Sequence, residues 1–195
     1  KMRRYKKHLV QVSKLEQAAV ILRRGGVVAH ATEGVWGLAC DPRSDSAIQK
    51  VLEIKQREKE KGLILIGGTL EYFQNELFEV KSDNSREIVD SWPGHHTWIL
   101  PNASDYSDWV TGGRDSVACR VPDHKQAREL SLKFGAPLVS TSANLSGQAE
   151  LTSEQAVRET FEGILDFILP GVIGNADGPS RIHFLDGSML RGAVE

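Results

Sequence analysis

Basic side chains cluster between Lys55 and Lys61, in a segment that connects a predicted helix to a predicted strand. In a helix, Lys55 and Arg57 would diverge, because residues two apart face different directions. In an extended loop they would face the same way, and together with Lys61 they could bind a polyanion such as a triphosphate. The alternative is a solvated connector whose charge Glu58 and Glu60 neutralise, and spacing alone favours that alternative.

Small polar residues run from Ser140 to Gly147, directly after the apolar segment 137–139. In open α/β sheets, ligands bind at the carboxyl ends of strands, which is where these hydroxyl groups and the Asn144 amide are expected. The same residues could instead form a turn in which serine and asparagine side chains bond the local backbone. From the residues alone, a ligand site and a turn are equally supported.

A third polar segment, His30–Leu38, also follows a predicted strand. Its glycines allow the backbone to approach a ligand closely, and Thr32 offers both a donor and an acceptor. The sequence contains no Walker-type phosphate loop, no Gly-x-Gly-x-x-Gly fingerprint, no zinc-ligand spacing and no Gly-x-Ser-x-Gly elbow. The three polar segments are therefore the candidates for a site.

A central sheet is needed to position these segments, and helix and strand signals alternate along the chain. Helix starts are predicted at Ser13, at Ser44 or Ser46, near residues 70 and 85, at Asp123 paired with Gln126, and at Thr152 paired with Gln155. Strands are predicted at 27–29, 62–67, 97–100, 116–121, 137–140, 167–169 and 182–185. The alternation predicts an α/β or α+β domain with one central sheet.

Length and composition fit one globular domain over residues 1–195, because 40% of the residues are hydrophobic and 26% are charged. Cys40 and Cys119 lie in apolar stretches and are predicted to be two buried thiols rather than a disulfide. Free thiols indicate a reducing compartment, here the cytoplasm. No apolar run in the sequence is long enough to cross a membrane.

The formal net charge of −2 hides an uneven distribution. Lys and Arg outnumber Asp and Glu in residues 1–61, whereas the acidic residues dominate from 62 to 195. A basic segment attracts phosphates, whether they belong to a nucleotide or to RNA. The tail at residues 1–12 either contacts RNA or is simply solvated, and its basic residues are Lys1, Arg3, Arg4, Lys6 and Lys7.

Taken in order, the motifs resemble those of the YrdC/TsaC family of threonylcarbamoyl-AMP synthases. The family's Lys-x-Arg and Ser-x-Asn signature is met by Lys55 with Arg57 and by Ser142 with Asn144. The resemblance runs from about residue 13 to Arg191, and no extension after Arg191 resembles the extra C-terminal domain of longer relatives. The chain therefore resembles the short, bacterial-type form of the family. Further matching blocks are Thr32-Glu33, 61–64, 92–94, 116–122 and 140–147.

This resemblance implies a YrdC-like fold, in which a single twisted mixed sheet is flanked by helices and carries a large basic cavity. It implies a nucleotidyltransferase that makes threonylcarbamoyl-AMP and pyrophosphate from ATP, bicarbonate and L-threonine. Mg²⁺ would arrive with ATP rather than at a metal site of the protein. Downstream threonylcarbamoyl-transfer proteins would then modify the adenosine beside the tRNA anticodon.

The resemblance also assigns roles to individual residues. The catalytic pair would be Lys55 and Arg57. The ATP site would comprise Lys55, Arg57, Lys61, Ser116, Asn144, Thr152 and Arg191. The threonine site would comprise Thr32, Arg120, Ser142 and Ser180, with Arg120 a natural partner for the substrate carboxylate.

Two departures from the family pattern lie beside the implied threonine site: Ala31 replaces a proline, and Arg181-Ile182 replaces a small or β-branched pair.

Two other functions remain as alternatives. The basic first third of the chain would suit a non-catalytic factor that binds double-stranded RNA and assists rRNA or tRNA maturation. The chain could also be a carbamoyl-transfer module like those found inside larger maturation enzymes.

Overall fold

The computed structural model describes residues 12–81 and 83–190, which form a nine-stranded mixed sheet with helices packed on it. The helices are α1 (Lys14–Arg23), α2 (Asp45–Lys55), α3 (Gln74–Phe78), α4 (Ser85–Asp90), α5 (Asp108–Thr111), α6 (Lys125–Phe134) and α7 (Glu154–Phe161), with 3-10 helices at Lys59–Lys61 and Leu70–Phe73. The strands are β1 (Val28–Ala31), β2 (Trp36–Cys40), β3 (Ile64–Ile66), β4 (His96–Pro101), β5 (Ser116–Arg120), β6 (Leu138–Ser142), β7 (Phe167–Ile168), β8 (Arg181–His183) and β9 (Met189–Leu190).

The first two long helices begin where the sequence predicts. The Ser13 hydroxyl accepts a hydrogen bond from the Glu16 amide at 3.1 Å, and Ser44 accepts one from the Ala47 amide at 3.2 Å. Each bond pairs an amide that has no partner inside its own helix. The choice between Ser44 and Ser46 is thereby settled in favour of Ser44.

The predicted start of α6 at Asp123 is wrong. His124 caps this helix, because its Nδ1 accepts from the Ala127 amide at 3.3 Å. The backbone amide of Asp123 donates instead to Glu33 Oε1, and its carboxylate pairs with Arg128. The backbone of Asp123 therefore bonds the buried Glu33, while its exposed carboxylate pairs with Arg128 and does not cap the helix.

The predicted start of α7 at Thr152 is also wrong, by one residue. The Ser153 hydroxyl accepts from the Ala156 amide at 3.1 Å and caps the helix. Thr152 stands one position earlier, and its side chain is exposed.

The sheet has the order β7-β1-β2-β6-β3-β5-β4-β8-β9. Strands β7 and β1, β3 and β5, and β4 and β8 pair in parallel, and the other neighbours are antiparallel. No strand is predicted from the sequence at β2, whose first residues belong to the polar segment 30–38. All five residues of β2 are buried, so no alternation of polar and apolar side chains marks it as a strand.

The two faces of the sheet are covered unequally. One face packs against the larger apolar core, which includes Trp36, Leu38, Val51 and Cys119. The other face carries a smaller core under α1 and α6, around Leu22 and Leu130, and this core reaches only β1, β2, β3, β6 and the segment after β7. The rest of that face, across β5, β4 and β8, is left for a cavity.

The prediction of two buried thiols is confirmed, because Cys40 and Cys119 are free and buried. None of the helices within 12–81 and 83–190 has the length and apolar character needed to span a membrane. The basic residues Lys1 to Lys7 and the predicted nucleotide ligand Arg191 lie outside the described residues. A single domain over residues 1–195 stays a prediction.

Candidate active site

A cavity of about 350 Å³ lies on the face of the sheet that α1 and α6 leave open. Strand β5 shows how the sequence builds it: Val117 and Cys119 belong to the core, whereas Ser116 and Ala118 line the cavity, as the alternation of a strand predicts. Val117 also borders the cavity. The polar side chains that line the cavity are Arg57, Lys61, Thr111, Arg114, Ser116, Thr141, Ser142 and Ser180.

Three cationic side chains face this cavity, and the described lining residues include no Asp or Glu. Arg57 follows α2 after Gln56 adopts a left-handed conformation with φ of 52°, and its Nη2 donates to the Gly62 carbonyl at 3.1 Å. Arg114 Nη1 donates to the Thr111 carbonyl at 3.1 Å. Several cations without carboxylates suit a polyphosphate, which spreads its charge over many oxygens.

Sequence reasoning missed Arg114. The available signal was its position after Gly112 and Gly113, in a turn immediately before β5. Both glycines have positive φ, so the turn returns the chain against the 59–61 segment. Glycine at position 112 is needed there, since an added Cβ would lie 2.6 Å from the Glu60 carbonyl oxygen.

Lys55 has a different environment from Arg57. It is the last residue of α2 and only 2% exposed. Its Nζ donates to the Ser142 carbonyl, to the Asn144 carbonyl at 3.1 Å and to Asn144 Oδ1 at 2.8 Å. Burial, together with the nearby charge of Arg57, lowers the pKa of Lys55 to about 8. For Lys55 the solvated connector is therefore wrong: its ammonium group fastens the loop after β6.

That loop combines the two possibilities that the sequence left open. Ser142 Oγ donates to Asn144 Oδ1 at 2.7 Å, and Asn144 Nδ2 donates to the Gln148 carbonyl at 2.7 Å, as in a locally bonded turn. Ser142 nevertheless lines the cavity. The turn thus presents Ser142 to a ligand, while Asn144 and Lys55 hold it from behind.

A small recess of about 40 Å³ adjoins the cavity, with which it shares the lining residues Ile64, Thr141, Ser142, Pro179 and Ser180. Its other lining residues are Thr32, Val35, Trp36, Gly37, Arg120 and Ser140. On the scale at which a water molecule needs roughly 10–15 Å³, the recess has room for only a few water-sized groups.

The hydroxyl groups of the recess are held by the protein itself. Thr32 Oγ1 donates to the Val35 carbonyl at 2.6 Å. Ser180 Oγ lies 2.7 Å from Thr97 Oγ1, so one of these hydroxyl groups donates to the other. Each oxygen keeps further hydrogen-bonding capacity for a ligand.

The guanidinium of Arg120 is fixed by Glu33. Arg120 Nη1 lies 2.8 Å from Glu33 Oε1, and the two side chains are 7% and 6% exposed. The Asp123 amide also donates to Glu33 Oε1 at 2.8 Å, and His95 Nδ1 lies 3.9 Å away from the same oxygen. Burial alone would raise the pKa of Glu33, but His95, Arg120 and the backbone amides outweigh it and lower that pKa to about 2. Arg120 is therefore a pre-positioned cation at the recess.

Most of the predicted site residues come together in this cavity and recess. Arg57, Lys61, Ser116, Ser142 and Ser180 line the cavity. Thr32, Arg120, Ser142 and Ser180 line the recess. Lys55 and Asn144 are buried behind the Ser142 turn, and Thr152 is not among the residues lining either space.

Comparison with known proteins places these features in a family. The family model Sua5_yciO_yrdC, described as telomere recombination, matches residues 20–190. A threonylcarbamoyl-AMP synthase of Vibrio vulnificus strain YJ016 is 42% identical over 174 residues, covering 88% of this chain and 94% of the relative. Another, of Pseudomonas fluorescens strain Pf0-1, is 39% identical over 186 residues, covering 95% of this chain and 100% of the relative.

Solved structures share the fold. Sua5 of P. abyssi in complex with L-threonine has a TM-score of 0.85 at 29% identity, covering 93% of this chain. This chain spans 55% of that Sua5 chain. YciO of E. coli has a TM-score of 0.75 at 22% identity, covering 90% of this chain and 86% of that chain.

Proposed function

This chain belongs to the Sua5/YciO/YrdC family, and on that premise we propose that it makes threonylcarbamoyl-AMP and pyrophosphate from ATP, bicarbonate and L-threonine. One observation carries the proposal: a cavity with three cationic side chains adjoins a recess that holds a pre-positioned arginine. This pair of spaces fits a polyphosphate beside a small carboxylate. The threonylcarbamoyl-AMP synthases to which the chain is similar cover most of its length.

ATP occupies the large cavity. Arg57, Lys61 and Arg114 neutralise its phosphates, and Ser116 hydrogen-bonds to the nucleotide. Asn144 acts through the Ser142 turn, while Thr152 and Arg191 remain assignments made from family resemblance. Mg²⁺ enters as part of the nucleotide substrate, held by phosphate oxygens and water, since the described lining residues offer no carboxylate.

L-Threonine binds where the recess opens into the large cavity, with part of the molecule in each space. Its carboxylate pairs with Arg120, whose orientation Glu33 fixes, and the hydroxyl groups of Thr32, Ser142 and Ser180 surround the remaining polar atoms. A site that hydrogen-bonds a substrate hydroxyl rejects analogues that lack it, because its own groups are left unpaired. Serine should therefore be used poorly and valine not at all.

The reaction needs no covalent intermediate with the protein. The threonine ammonium group first loses one proton to solvent, and the amine nitrogen then bonds to the bicarbonate carbon as water leaves and the carbamate forms. A carbamate oxygen then bonds to the α-phosphorus of ATP, and pyrophosphate leaves. The protein contributes positioning of the two substrates and neutralisation of phosphate charge by Arg57, Lys61 and Arg114.

The product has a place in tRNA modification. A mixed anhydride of AMP is an activated acyl donor, so separate threonylcarbamoyl-transfer proteins would consume it at the adenosine beside the anticodon. The two free, buried thiols support a cytoplasmic location. Direct binding of tRNA or double-stranded RNA would involve the basic tail, which lies outside the described residues.

The decisive experiment is a pyrophosphate assay with ATP, bicarbonate and L-threonine. Pyrophosphate should form only when all three are present, and the nucleotide product should carry label from threonine. Replacing threonine with valine should abolish the signal. A non-catalytic RNA-binding factor would release no pyrophosphate under any of these conditions, and that result would overturn the proposal.

A further inference from the structure

A buried hydrogen bond crosses one whole strand of the sheet beside the recess. His30 lies on β1 and Ser140 on β6, with β2 between them, so their backbones are about 10 Å apart by normal strand spacing. His30 Nε2 nevertheless lies 2.9 Å from Ser140 Oγ. The side chains meet because Gly37 lies between them: an added Cβ there would be 2.8 Å from Ser140 Oγ and 3.1 Å from His30 Nε2.

The direction of this hydrogen bond follows from the other nitrogen of the ring. His30 Nδ1 lies 3.1 Å from the Ala31 carbonyl oxygen, which can only accept, so Nδ1 carries the proton. In a neutral imidazole Nε2 is then an acceptor, and the Ser140 hydroxyl donates to it. His30 is completely buried, and burial lowers its pKa to about 4, so the ring is neutral at physiological pH.

This arrangement removes the rotational freedom of the Ser140 hydroxyl. A serine hydroxyl ordinarily turns to donate or accept as its ligand requires. Here its proton points to His30, and its remaining lone pairs are available to the recess, which Ser140 lines. Ser140 is thus a fixed acceptor for a donor group of a bound ligand.

The charge around the recess indicates which donor group fits. Among the described residues that line it, Arg120 is the only charged side chain. Glu33 already balances the charge of Arg120, and the described lining offers an amino group no carboxylate, so the acceptors available to it are neutral oxygens such as Ser140 Oγ. A neutral acceptor can hold one N–H of that amine and leave its lone pair free to attack bicarbonate.

We propose that Ser140 accepts a hydrogen bond from the α-amino group of the amino-acid substrate, and that His30 is the positioning residue that fixes the Ser140 hydroxyl for this role. The proposal rests on the function proposed above. It assigns no proton transfer to His30. The amino group loses its proton to solvent, and the two side chains orient the amine that remains.

The test is a double-mutant cycle that measures the KM for threonine and, by calorimetry, threonine binding. Ser140→Ala should raise the KM for threonine roughly tenfold, the loss expected for one hydrogen bond in a buried site, and leave the KM for ATP within about twofold. His30→Phe should raise the threonine KM about threefold to fivefold. In the Ser140→Ala background, His30→Phe should add nothing further, because it acts through the missing hydroxyl.

A substrate analogue separates the two donor groups of threonine. L-2-Aminobutyrate keeps the amine and lacks the hydroxyl, so Ser140→Ala should weaken its binding by the same factor as for threonine. A loss confined to threonine would assign Ser140 to the substrate hydroxyl and overturn the proposal.

Two controls separate positioning from folding. Ser131→Ala removes another buried serine, which bonds the Gly68 amide and the Ala136 carbonyl away from the recess; it should lower the melting temperature and leave the threonine KM unchanged. His30→Gln supplies an amide oxygen that can accept the Ser140 hydroxyl and should restore most threonine affinity. If His30→Phe does not fold, His30→Gln still tests whether residue 30 acts through the Ser140 hydroxyl.

The outcomes are distinguishable. An unchanged threonine KM in Ser140→Ala, or a full effect of His30→Phe in that background, overturns the inference while leaving the proposed function intact. Failure of the unmodified protein to release pyrophosphate overturns the proposed function, and calorimetry with threonine still decides the inference. Absence of threonine binding overturns both.

Discussion

The rim of the large cavity and the wall of the recess handle charge in opposite ways. Arg57 and Lys61 are partly exposed, and Arg114 is exposed, so these cations can adjust to a polyphosphate. On the recess side, Lys55, Glu33, Arg120 and His30 are buried, and each is held by hydrogen bonds or an ion pair. The large cavity offers accessible cations to a large, highly charged substrate, whereas the recess offers a small substrate groups whose orientation the fold has already fixed.

This difference has an energetic consequence. Removing a rim cation changes the interaction with phosphate, and for Arg57 and Arg114 it also takes a donor from the Gly62 or Thr111 carbonyl. Removing a buried cation leaves its partners without donors, at roughly 1–3 kcal/mol for each unsatisfied group. Rim substitutions should therefore affect activity more than stability, and substitutions in the recess wall should affect activity and stability together.

The most severe test is Lys55→Met. It removes the charged donor from the Ser142 carbonyl and from both Asn144 oxygens, and it leaves the Asn144 carbonyl without a partner, while the Ser142 carbonyl keeps the Asn144 amide and Asn144 Oδ1 keeps the Ser142 hydroxyl. The free energy of unfolding should therefore fall by about 3 kcal/mol in urea titrations. Lys50→Met, on the exposed side of the same helix, is the matched control and should stay within about 0.5 kcal/mol of the parent. Equal stability of the two variants would show that Lys55 does not stabilise the fold, and the contrast between buried cations and rim cations would then be wrong.

The rim is tested by Arg57→Ala. Loss of one charged hydrogen-bonding group should lower kcat/KM for ATP about 100-fold, while the free energy of unfolding changes by less than about 1 kcal/mol. Arg57→Lys keeps the positive charge and loses the planar guanidinium group, so its activity should lie between that of the parent protein and that of Arg57→Ala. A variant that unfolds, or one that keeps full activity, contradicts the rim assignment.

The buried ion pair should give the recess a pH signature. The folded-state pKa of Glu33, about 2, lies below its ordinary value of 4.5, so its contribution to stability is complete above pH 4.5 and is lost as the pH falls toward 2. Between pH 6 and pH 3 the parent should lose about 2 kcal/mol more than Glu33→Gln, measured by urea unfolding. Parallel pH profiles for the two proteins would show that Glu33 is not stabilised in this way.

The smallest effect is expected at Thr152. Its side chain is exposed and lines neither space, so Thr152→Ala should change kcat/KM for ATP by less than about twofold. Ser153→Ala, at the neighbouring helix cap, should lower stability by about 1 kcal/mol and also spare activity. A strong loss of activity in Thr152→Ala would restore its family-based assignment to the nucleotide site.

Local signals in the sequence account for much of the fold. Serine caps predicted α1 and α2 because each bond closes within three residues. The apolar run 137–139 likewise predicted β6, because that signal also lies within a few consecutive residues. Strand β2 escaped because a strand buried on both faces has no alternating pattern, and its neighbours β1 and β6 are set by pairing across the sheet.

The site was harder to predict because its decisive contacts join distant residues. The Lys-x-Arg and Ser-x-Asn motifs were visible, but Lys55 and Asn144 meet across 89 positions, so their mutual bond could not be inferred from spacing. The left-handed conformation of Gln56 sends Lys55 and Arg57 into different environments, whereas the extended loop considered from the sequence would have made them face the same way. The contact of His30 with Ser140 spans 110 positions and depends on a glycine in a third strand.

The outer wall of the large cavity comes from the end of the described chain. Ser180, Ile182, Phe184 and Leu190 line it, and β8 joins the sheet by pairing with β4, far earlier in sequence. A ribosome releases the chain from its amino end at roughly 5–20 residues per second, so the large cavity stays open on one side until these last strands emerge. A ligand stabilises only the form that binds it. The nucleotide proposed for this cavity could therefore stabilise the molecule only after β8 and β9 have joined the sheet.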